Sequence, residues 1–317
     1  MSTTAAKKIL VVFGATGQQG GSVVQYVLND PELSQEFQLR VITRDTTSPK
    51  AKALVDKNVE VVQGDLTDRA SIEAALTGAH TVYLMTKPDW AAPMAEYTNG
   101  KLVADVAVQK GVSYVIFSTL PSITKLSSGK YRSLGHFDEK EELELYIRSL
   151  RPTIKSAFVS PGFFTSNFHN FFLTPTRAAD GVSWSIKAPV SGTTQLPLIN
   201  VVEDTGKWVG AILAEPEKFE GKVFAAATAL YTLDEVAAAM TKATGKKIVF
   251  EQISDEDFKK SAWPGMGVKL TEVMKSLEEF SYWGPDTQGE VDWAAANARG
   301  KLTSFEEFLE ANPLPLE

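Results

Sequence analysis

Short apolar runs and helical stripes alternate along this chain from near its first residue. Residues 9–13 (ILVVF) form an unbroken run rich in β-branched side chains, the pattern of a strand buried on both faces. Val23, Val24, Val27 and Leu28 then recur at helical spacing. The alternation continues, with strands predicted at 38–44, 59–65, 81–86, 112–119 and 153–160. Between them, helices are predicted from Thr67 to Gly78, over 95–110 with a Val103, Val106 stripe ended by Gly111, and over 135–150. Units of this kind demand a parallel sheet with helices on both faces. From residue 181 the texture shifts to loops and short strands (VSWSI, TTQLPLI), followed by a helix at 201–214 and a strand at 222–229. Thr232 and Glu235 form a capping box on a helix at 233–244, which Gly245 closes, and a strand follows at 248–253. WPGMG (263–267) reads as a mobile flap or a plain connector. The fold class is therefore α/β, a Rossmann-type doubly wound parallel sheet over 1–160 with a smaller C-terminal α/β lobe over 161–317 interleaved with it. No repeat or disordered linker divides the chain.

The junction of the first strand and first helix reads GATGQQG (14–20). Strand, glycine turn, helix is the context a dinucleotide fingerprint needs. Gly14 allows the tight turn, Gly17 lets the backbone approach a pyrophosphate, and Gly20 lets helix and strand pack closely. The helix N-terminus adds unpaired N–H groups and a positive dipole end. Gly14, Thr16, Gly17, Gln18, Gln19 and Gly20 are thus candidate cofactor contacts; the alternative is a turn that keeps its glycines for packing alone. The second strand ends in Thr43-Arg44, where a cation suits a 2′-phosphate and an acid would suit a 2′-hydroxyl. Arg44, helped by Lys50 and Lys52, therefore points to NADP(H) over NAD(H), with neighbouring Asp45 and a solvated Arg as counterweights. Ligands of open α/β sheets lie at the carboxyl ends of the strands. Asp65 and Leu66 are accordingly expected to border the adenine, and Met85 and Thr86 the middle of the cofactor. Pro161 follows the sixth strand, and Phe163 and Phe164 beside it are the candidates to meet a nicotinamide. Trp90, in the loop 89–93, either flanks the site or packs.

His136, Lys140, Leu143, Ile147 and Leu150 are spaced 4, 3, 4, 3 and share one helical stripe whose lower end is apolar. A cation heading such a stripe needs a buried partner, and a cofactor's ribose and phosphates would provide one. The alternatives are a surface pair of Lys140 with Glu144, and a half-buried His136 without chemistry.

Composition narrows the field by exclusion. A net charge of −7 argues against general attraction to nucleic acid or an acidic membrane. No apolar run approaches the roughly 20 residues of a membrane span, and residues 1–8 are too short and polar for a signal peptide. Zero cysteines remove disulfides, thiolate metal sites and a Cys nucleophile, and three scattered histidines suggest no metal site. The default compartment is the cytoplasm, with the nucleus also compatible.

Several stretches together resemble a known group. GATGQQG (14–20), Arg44, GDLTD (64–68), HFDEK (136–140), PGFFTSNF (161–168) and NVVEDTGKWVGAIL (200–213) followed by FEGKVF resemble the atypical, extended short-chain dehydrogenase/reductases, and within them the NmrA-like group. Reductases of that superfamily generally use Tyr-x-x-x-Lys, in which Tyr is the acid and Lys binds the nicotinamide ribose. Here the Tyr position is His136 and the Lys position is Lys140. The resemblance implies nucleotide binding coupled to partner regulation, with Lys140 keeping its ribose and His136 a poor proton donor beside a cation. Two further readings stay open: an NADPH-dependent reductase of a carbonyl or imine, using His136 or water, and an isomerase or epimerase, disfavoured by its missing Tyr. The expected partners are accordingly the nucleotide, a regulated protein and a small-molecule substrate.

Overall fold

Seven parallel strands form the main sheet of the computed structural model, which describes residues 6–316. In chain order the strands are β1 (Lys8–Phe13), β2 (Phe37–Thr43), β3 (Glu60–Gln63), β4 (Ala79–Leu84), β5 (Tyr114–Ser118), β6 (Lys155–Pro161) and β7 (Phe163–Phe164). They continue with β8 (Thr176–Arg177), β9 (Trp184–Ala188), β10 (Gln195–Ile199), β11 (Val223–Ala226), β12 (Ala229–Thr232) and β13 (Ile248–Gln252). The main sheet runs β11-β6-β5-β4-β1-β2-β3. The chain steps outward from β1 to β3 and then crosses back to β4, so the connections leaving β1 and β4 diverge and open a crevice at their carboxyl ends.

The helices are α1 (Gln18–Asn29), α2 (Leu33–Glu36), α3 (Pro49–Val55), α4 (Arg69–Leu76), α5 (Ala95–Gln109), α6 (Ile123–Leu126) and α7 (Gly135–Ser149). After these come α8 (Asn167–Asn170), α9 (Val201–Ala214), α10 (Leu233–Thr244), α11 (Asp255–Ser261), α12 (Gly267–Phe280), α13 (Thr287–Ala296) and α14 (Phe305–Ala311). One face of the sheet is covered by α1, α3, α9 and α13, which contribute Val23, Val27, Leu54, Trp208 and Ala294 to its core. The other is covered by α4, α5 and α7, with Ile72, Val103, Leu143 and Ile147 inward. Burial on both faces explains why β1 carries an unbroken apolar run. The helices expected at 95–110, 135–150, 201–214 and 233–244 stand within a residue of those limits. No described helix is long and apolar enough to cross a membrane.

The second half of the chain visits two places. β12-β10-β7 and β13-β9-β8 make two small sheets which, with α10, α11, α12 and α14, enclose a core including Phe168, Ile186, Leu196, Met240 and Phe305. Between these visits α9 and β11 return to the main sheet. The single strand expected at 222–229 is two. A tight turn in which Ala227 N–H donates to Ala225 O (2.9 Å) ends β11, and Thr228 N–H donates to Leu198 O (2.8 Å), so β12 joins the second sheet. One apolar run thus serves two sheets. WPGMG is a largely exposed connector between α11 and α12, closed by Met266 N–H on Trp263 O (2.9 Å) with the Trp263 ring 4.9 Å from Phe171.

α1 and α9 approach closely because α9 presents Gly206 and Gly210 to Tyr26 and Ser22. A Cβ at 206 would lie 2.4 Å from Tyr26 Cβ, and one at 210 would lie 2.2 Å from Tyr26 Cε1. Ser22 Oγ also accepts Gly206 N–H at 3.0 Å. Gly206→Ala is therefore expected to destabilise the fold by about 1–3 kcal/mol through overpacking. Gly135→Ala, whose added Cβ meets only Glu139 Oε1 at 4.0 Å, should be neutral or stabilising. Denaturant melts of both variants check the contrast; equal stabilities would remove the close approach.

Candidate functional site

The crevice begins at the glycine turn. Gly14 takes φ +69°, the left-handed region open to glycine, and a Cβ there would stand 2.3 Å from Met85 Cε. Gly17 N–H donates to Gly14 O at 2.9 Å, tightening the turn. Gly20 packs so closely that its Cβ would lie 2.4 Å from Gly14 O and 2.7 Å from Phe13 O. Above Gly17 the space is open: only Gly14 O, at 3.2 Å, lies within 4 Å of where a Cβ would be. α1 starts at once, with Gly17 as an N-cap lacking a side-chain cap and no acid in the first turn. Its first N–H groups are left for an anion. Gln18 Nε2 reaches Ser166 Oγ (3.3 Å), linking the turn to the second lobe. Gln19 instead points inward, its Oε1 accepting from Ser118 Oγ (2.7 Å) and Tyr83 Oη (3.1 Å). From the turn a groove of about 630 Å³ runs along α1, lined by Thr16, Gly17, Gln18, Gln25, Lys50 and Lys57 among others. Lys50 Nζ donates to Thr16 O across its mouth at 3.1 Å.

Beyond β2, Arg44 is exposed, and its guanidinium makes no hydrogen bond or ion pair among the described residues. Asp45, the counterweight to an NADP reading, is turned away: Oδ1 accepts from Thr47 Oγ1 (2.6 Å) and Thr47 N–H (2.8 Å), which hold its pKa below the usual value. Asp65 makes the same local turn with Thr67 N–H (2.9 Å), and its pKa falls chiefly for that reason, with Arg44 contributing at longer range. Leu66 is partly buried against the core under α4 and α5.

At the carboxyl ends of β4 and β5, Lys140 is 6% exposed, and its ion-pair partner within the protein is not Glu144. It is Glu96, 2% exposed in the first turn of α5, whose Oε1 lies 2.9 Å from Lys140 Nζ. Thr86 Oγ1 (3.0 Å), Ser118 O (3.1 Å) and Thr86 O (3.3 Å) complete the shell. Thr86 Oγ1 itself donates to Glu96 Oε1 at 2.7 Å, so the Thr86 side chain faces inward. Glu144 pairs with Arg148 at 2.7 Å. Burial lowers the Lys140 pKa, and Glu96 is the main influence opposing that.

The neighbouring residues of α7 hold the two adjacent loops. Asp138 Oδ2 accepts from Thr124 Oγ1 and Oδ1 from Ser122 Oγ, both at 2.6 Å, fixing the loop after β5. Glu139 Oε1 accepts from Met94 N–H (3.0 Å) and Oε2 from Tyr97 N–H (3.3 Å), capping α5 from outside. His136 is half-buried between Trp90 and Phe137, each with its ring centroid 4.7 Å away, and Lys269 Nζ lies 4.5 Å from the Trp90 ring. Burial first, then the Lys140 and Lys269 charges, push the His136 pKa down to about 4. Its Nδ1 is buried without a hydrogen-bond partner.

At the end of β6, Pro161 O accepts from Tyr282 Oη (3.1 Å). Phe163 is buried in the second lobe's core against Phe168 (5.5 Å) and Phe172 (6.0 Å), while Phe164 is only partly buried against the main core. Glu96 and Tyr282 are the residues that reading the sequence missed. Glu96 looks like an ordinary first-turn acid. Tyr282 comes from beyond α12, far along the chain from β6, and no local pattern announces it.

The NmrA-like family matches residues 6–309 of the chain. An NmrA-like family domain-containing protein of Dictyostelium discoideum is 32% identical over 310 residues, covering 96% of this chain and 97% of that protein. An NmrA-like family domain-containing oxidoreductase of Penicillium ochrochloron, ptmS, is 31% identical over 300 residues, covering 90% of this chain and 86% of its own. Among solved structures, NmrA, a negative transcriptional regulator in complex with NADP, superposes with a TM-score of 0.79 at 22% identity, covering 98% of both chains. With the family match spanning both the glycine turn and the HFDEK helix, this chain belongs to the NmrA-like family.

Proposed function

We propose that this chain is an NADP(H)-binding protein whose nucleotide state governs contact with a partner, and that it is not built for proton-coupled turnover. The nucleotide half of the reading rests on the open backbone over Gly17, the uncapped start of α1, and the NADP complex of the regulator that shares this fold. Gly14, Thr16, Gly17, Gln18 and the first N–H groups of α1 would hold the pyrophosphate, with Gln19 and Gly20 shaping the turn from behind. Arg44 and Lys50 would take the 2′-phosphate, Asp65 and Leu66 would border the adenine, and Met85, Pro161 and Phe164 the nicotinamide half. When bound, the nicotinamide supplies a hydride donor or acceptor.

The observation that carries the non-catalytic half is His136. Hydride transfer to a carbonyl leaves an alkoxide that must gain a proton, and a general acid works best with a pKa near the operating pH. His136, with a pKa of about 4, stays neutral there and offers at most a hydrogen bond. The Tyr282 hydroxyl is committed to Pro161 O, and burial raises its pKa further. A second reading, an NADPH-dependent reductase of a carbonyl or imine, is favoured by the relative named as an oxidoreductase and by His136 Nδ1, which is buried with no hydrogen-bond partner of its own.

Three measurements test these assignments. Arg44→Ala should weaken NADPH by about 1.5–3 kcal/mol, roughly 10- to 100-fold, and leave NADH nearly unchanged; equal losses in calorimetric titrations would remove Arg44 from the 2′-phosphate. Gly17→Val should abolish nucleotide binding in a chain that remains folded by circular dichroism, because its side chain fills the space over the turn. Wild-type binding by that variant would move the phosphates elsewhere. With a panel of carbonyls and imines the wild-type chain should not consume NADPH, as followed by the absorbance of the reduced nicotinamide. Consumption that falls by about 10²-fold or more in His136→Ala would establish the reductase reading with a histidine acid.

A further inference from the structure

The amino-terminal edge of the main sheet, opposite the glycine turn, carries a second cavity of about 340 Å³. It opens between the starts of β1, β4, β5 and β6 and the end of α9. Its inner wall is apolar, lined by the core residues Phe37, Ile116 and Leu213. The turn after α9 closes one side, held by Tyr114 Oη donating to Pro216 O at 3.0 Å.

His80 also lines the cavity, and the sheet is locally deformed where it stands. β1 pairs with β4 as Ile9 with Ala79 and Leu10 with Thr81, so His80 is an extra residue, a bulge in a parallel pair. Bulges interrupt a ladder and re-aim a side chain, and they are rare between parallel strands. The His80 carbonyl accepts Ser113 N–H at 2.9 Å, and Nδ1 lies 2.9 Å from Thr81 Oγ1. Nε2 has no partner among the described residues. Two ammonium groups border the same space. Lys8 pairs with Glu36 at 2.7 Å and Lys155 with Glu217 at 2.6 Å, and these acids are 41% and 74% exposed. Exposed pairs of this kind contribute little to stability, so a ligand's anion can replace either acid at small cost.

We propose that this cavity binds a compact organic carboxylate with an apolar body, the carboxylate on His80 Nε2 and Lys8 and the body against Phe37, Ile116 and Leu213. The site lies at the other edge of the sheet from the glycine turn, so it stands apart from the nucleotide reading. One imidazole and one ammonium match a single negative charge, and Glu36 beside them disfavours a dianion. The charged groups facing His80 are Lys8 of β1 and Glu36 of α2, with Lys155 of β6 and Glu217 after α9 across the cavity. Tyr114 stays neutral, because burial pushes its phenol up. Burial, then the Lys8 charge, hold the His80 pKa below its ordinary value, against the pull of Glu36. A carboxylate on Nε2 adds a negative charge there and raises that pKa. Binding therefore takes up a proton and tightens as pH falls through the imidazole range.

The test uses 3-phenylpropionate as the probe. Two controls divide its chemistry: 3-phenylpropanamide keeps the body without the charge, and acetate keeps the charge without the body. The chain has three histidines, so its imidazole proton signals in NMR spectra report His80, His136 and His169 separately. The probe should shift the His80 signal saturably, leave the other two in place, and raise the His80 titration midpoint. Calorimetric affinity should rise about threefold or more between about pH 8 and about pH 6. Both controls should bind about tenfold or more weakly. His80→Gln and Lys8→Met should each weaken the probe by about tenfold while leaving NADPH titrations as in wild type. Should His80→Gln not fold, Lys8→Met and the pH profile of the wild-type chain decide the same point. Absence of a saturable His80 shift, equal affinity for the amide, or affinity independent of pH would each overturn the proposal. So would a shift centred on His136, which would place the acid in the crevice at the opposite edge.

Discussion

Lys140, only 6% exposed, holds its ammonium at the carboxyl edge of a sheet covered on both faces. Left alone there, a charge would cost several kcal/mol, and stripping the partner from such a pair typically costs about 3–5 kcal/mol. The structure answers with a carboxylate from a different helix, a threonine hydroxyl and two strand-end carbonyls. Meeting that demand fixes much else. α5 must begin where Glu96 can reach inward, so its N-terminus is capped from α7 by Glu139 and not by its own Met94. The two helices must cross closely, which Gly100 permits. The loop from β4 to α5, with Trp90 on it, is then drawn over His136. One buried charge sets the geometry of one side of the crevice.

The other side is built by close backbone approach. Gly20 against Gly14 O, and Gly206 and Gly210 against Tyr26, press α1 between strand and α9. Few ionic groups are needed there, because the glycine turn and the start of α1 offer N–H groups and a dipole. The two sides join through Gln19, which belongs to the glycine turn yet hydrogen-bonds Ser118 and Tyr83 on β5 and β4. Ser118 is also the residue whose carbonyl holds Lys140. The glycine turn and the Lys140 ion pair therefore share Ser118 as a partner.

What could be read in advance follows from how local each constraint is. The β1 run, the glycine turn and the helices at 201–214 and 233–244 are written in neighbouring residues, by period and by capping, and they stand where expected. The stripe of His136, Lys140, Leu143 and Ile147 was also legible, down to its inward direction. The identity of the partner was not. Lys140 meets Glu96 across 44 positions of chain, and an acid in a helix's first turn has a complete local explanation in the helix dipole. Phe163 and Phe164 could be placed near the end of β6, but which ring would enter the second lobe depends on β7 pairing with β10, a register no single stretch encodes. The run at 222–229 reads as one strand because apolar content marks burial without saying which sheet each part joins.

A superfamily motif that has lost its acid but kept its lysine poses a physical question, since a ribose-binding cation beside a missing tyrosine has lost half of its task. The environment of Lys140 supplies an answer that needs no substrate. Each residue from His136 to Lys140 has a partner inside the protein, on the loops after β4 and β5 or on the helices those loops enter. These contacts give HFDEK a structural task at the loops that leave β4 and β5, independent of any ligand. Trp90 meets His136 edge-on and carries Lys269 over its own ring, which brings the loop after β4 against α12 of the second lobe, and Gln18 makes a like link between the glycine turn and Ser166. Both contacts tie the sheet to the second lobe, one from the glycine turn and one from the loop after β4.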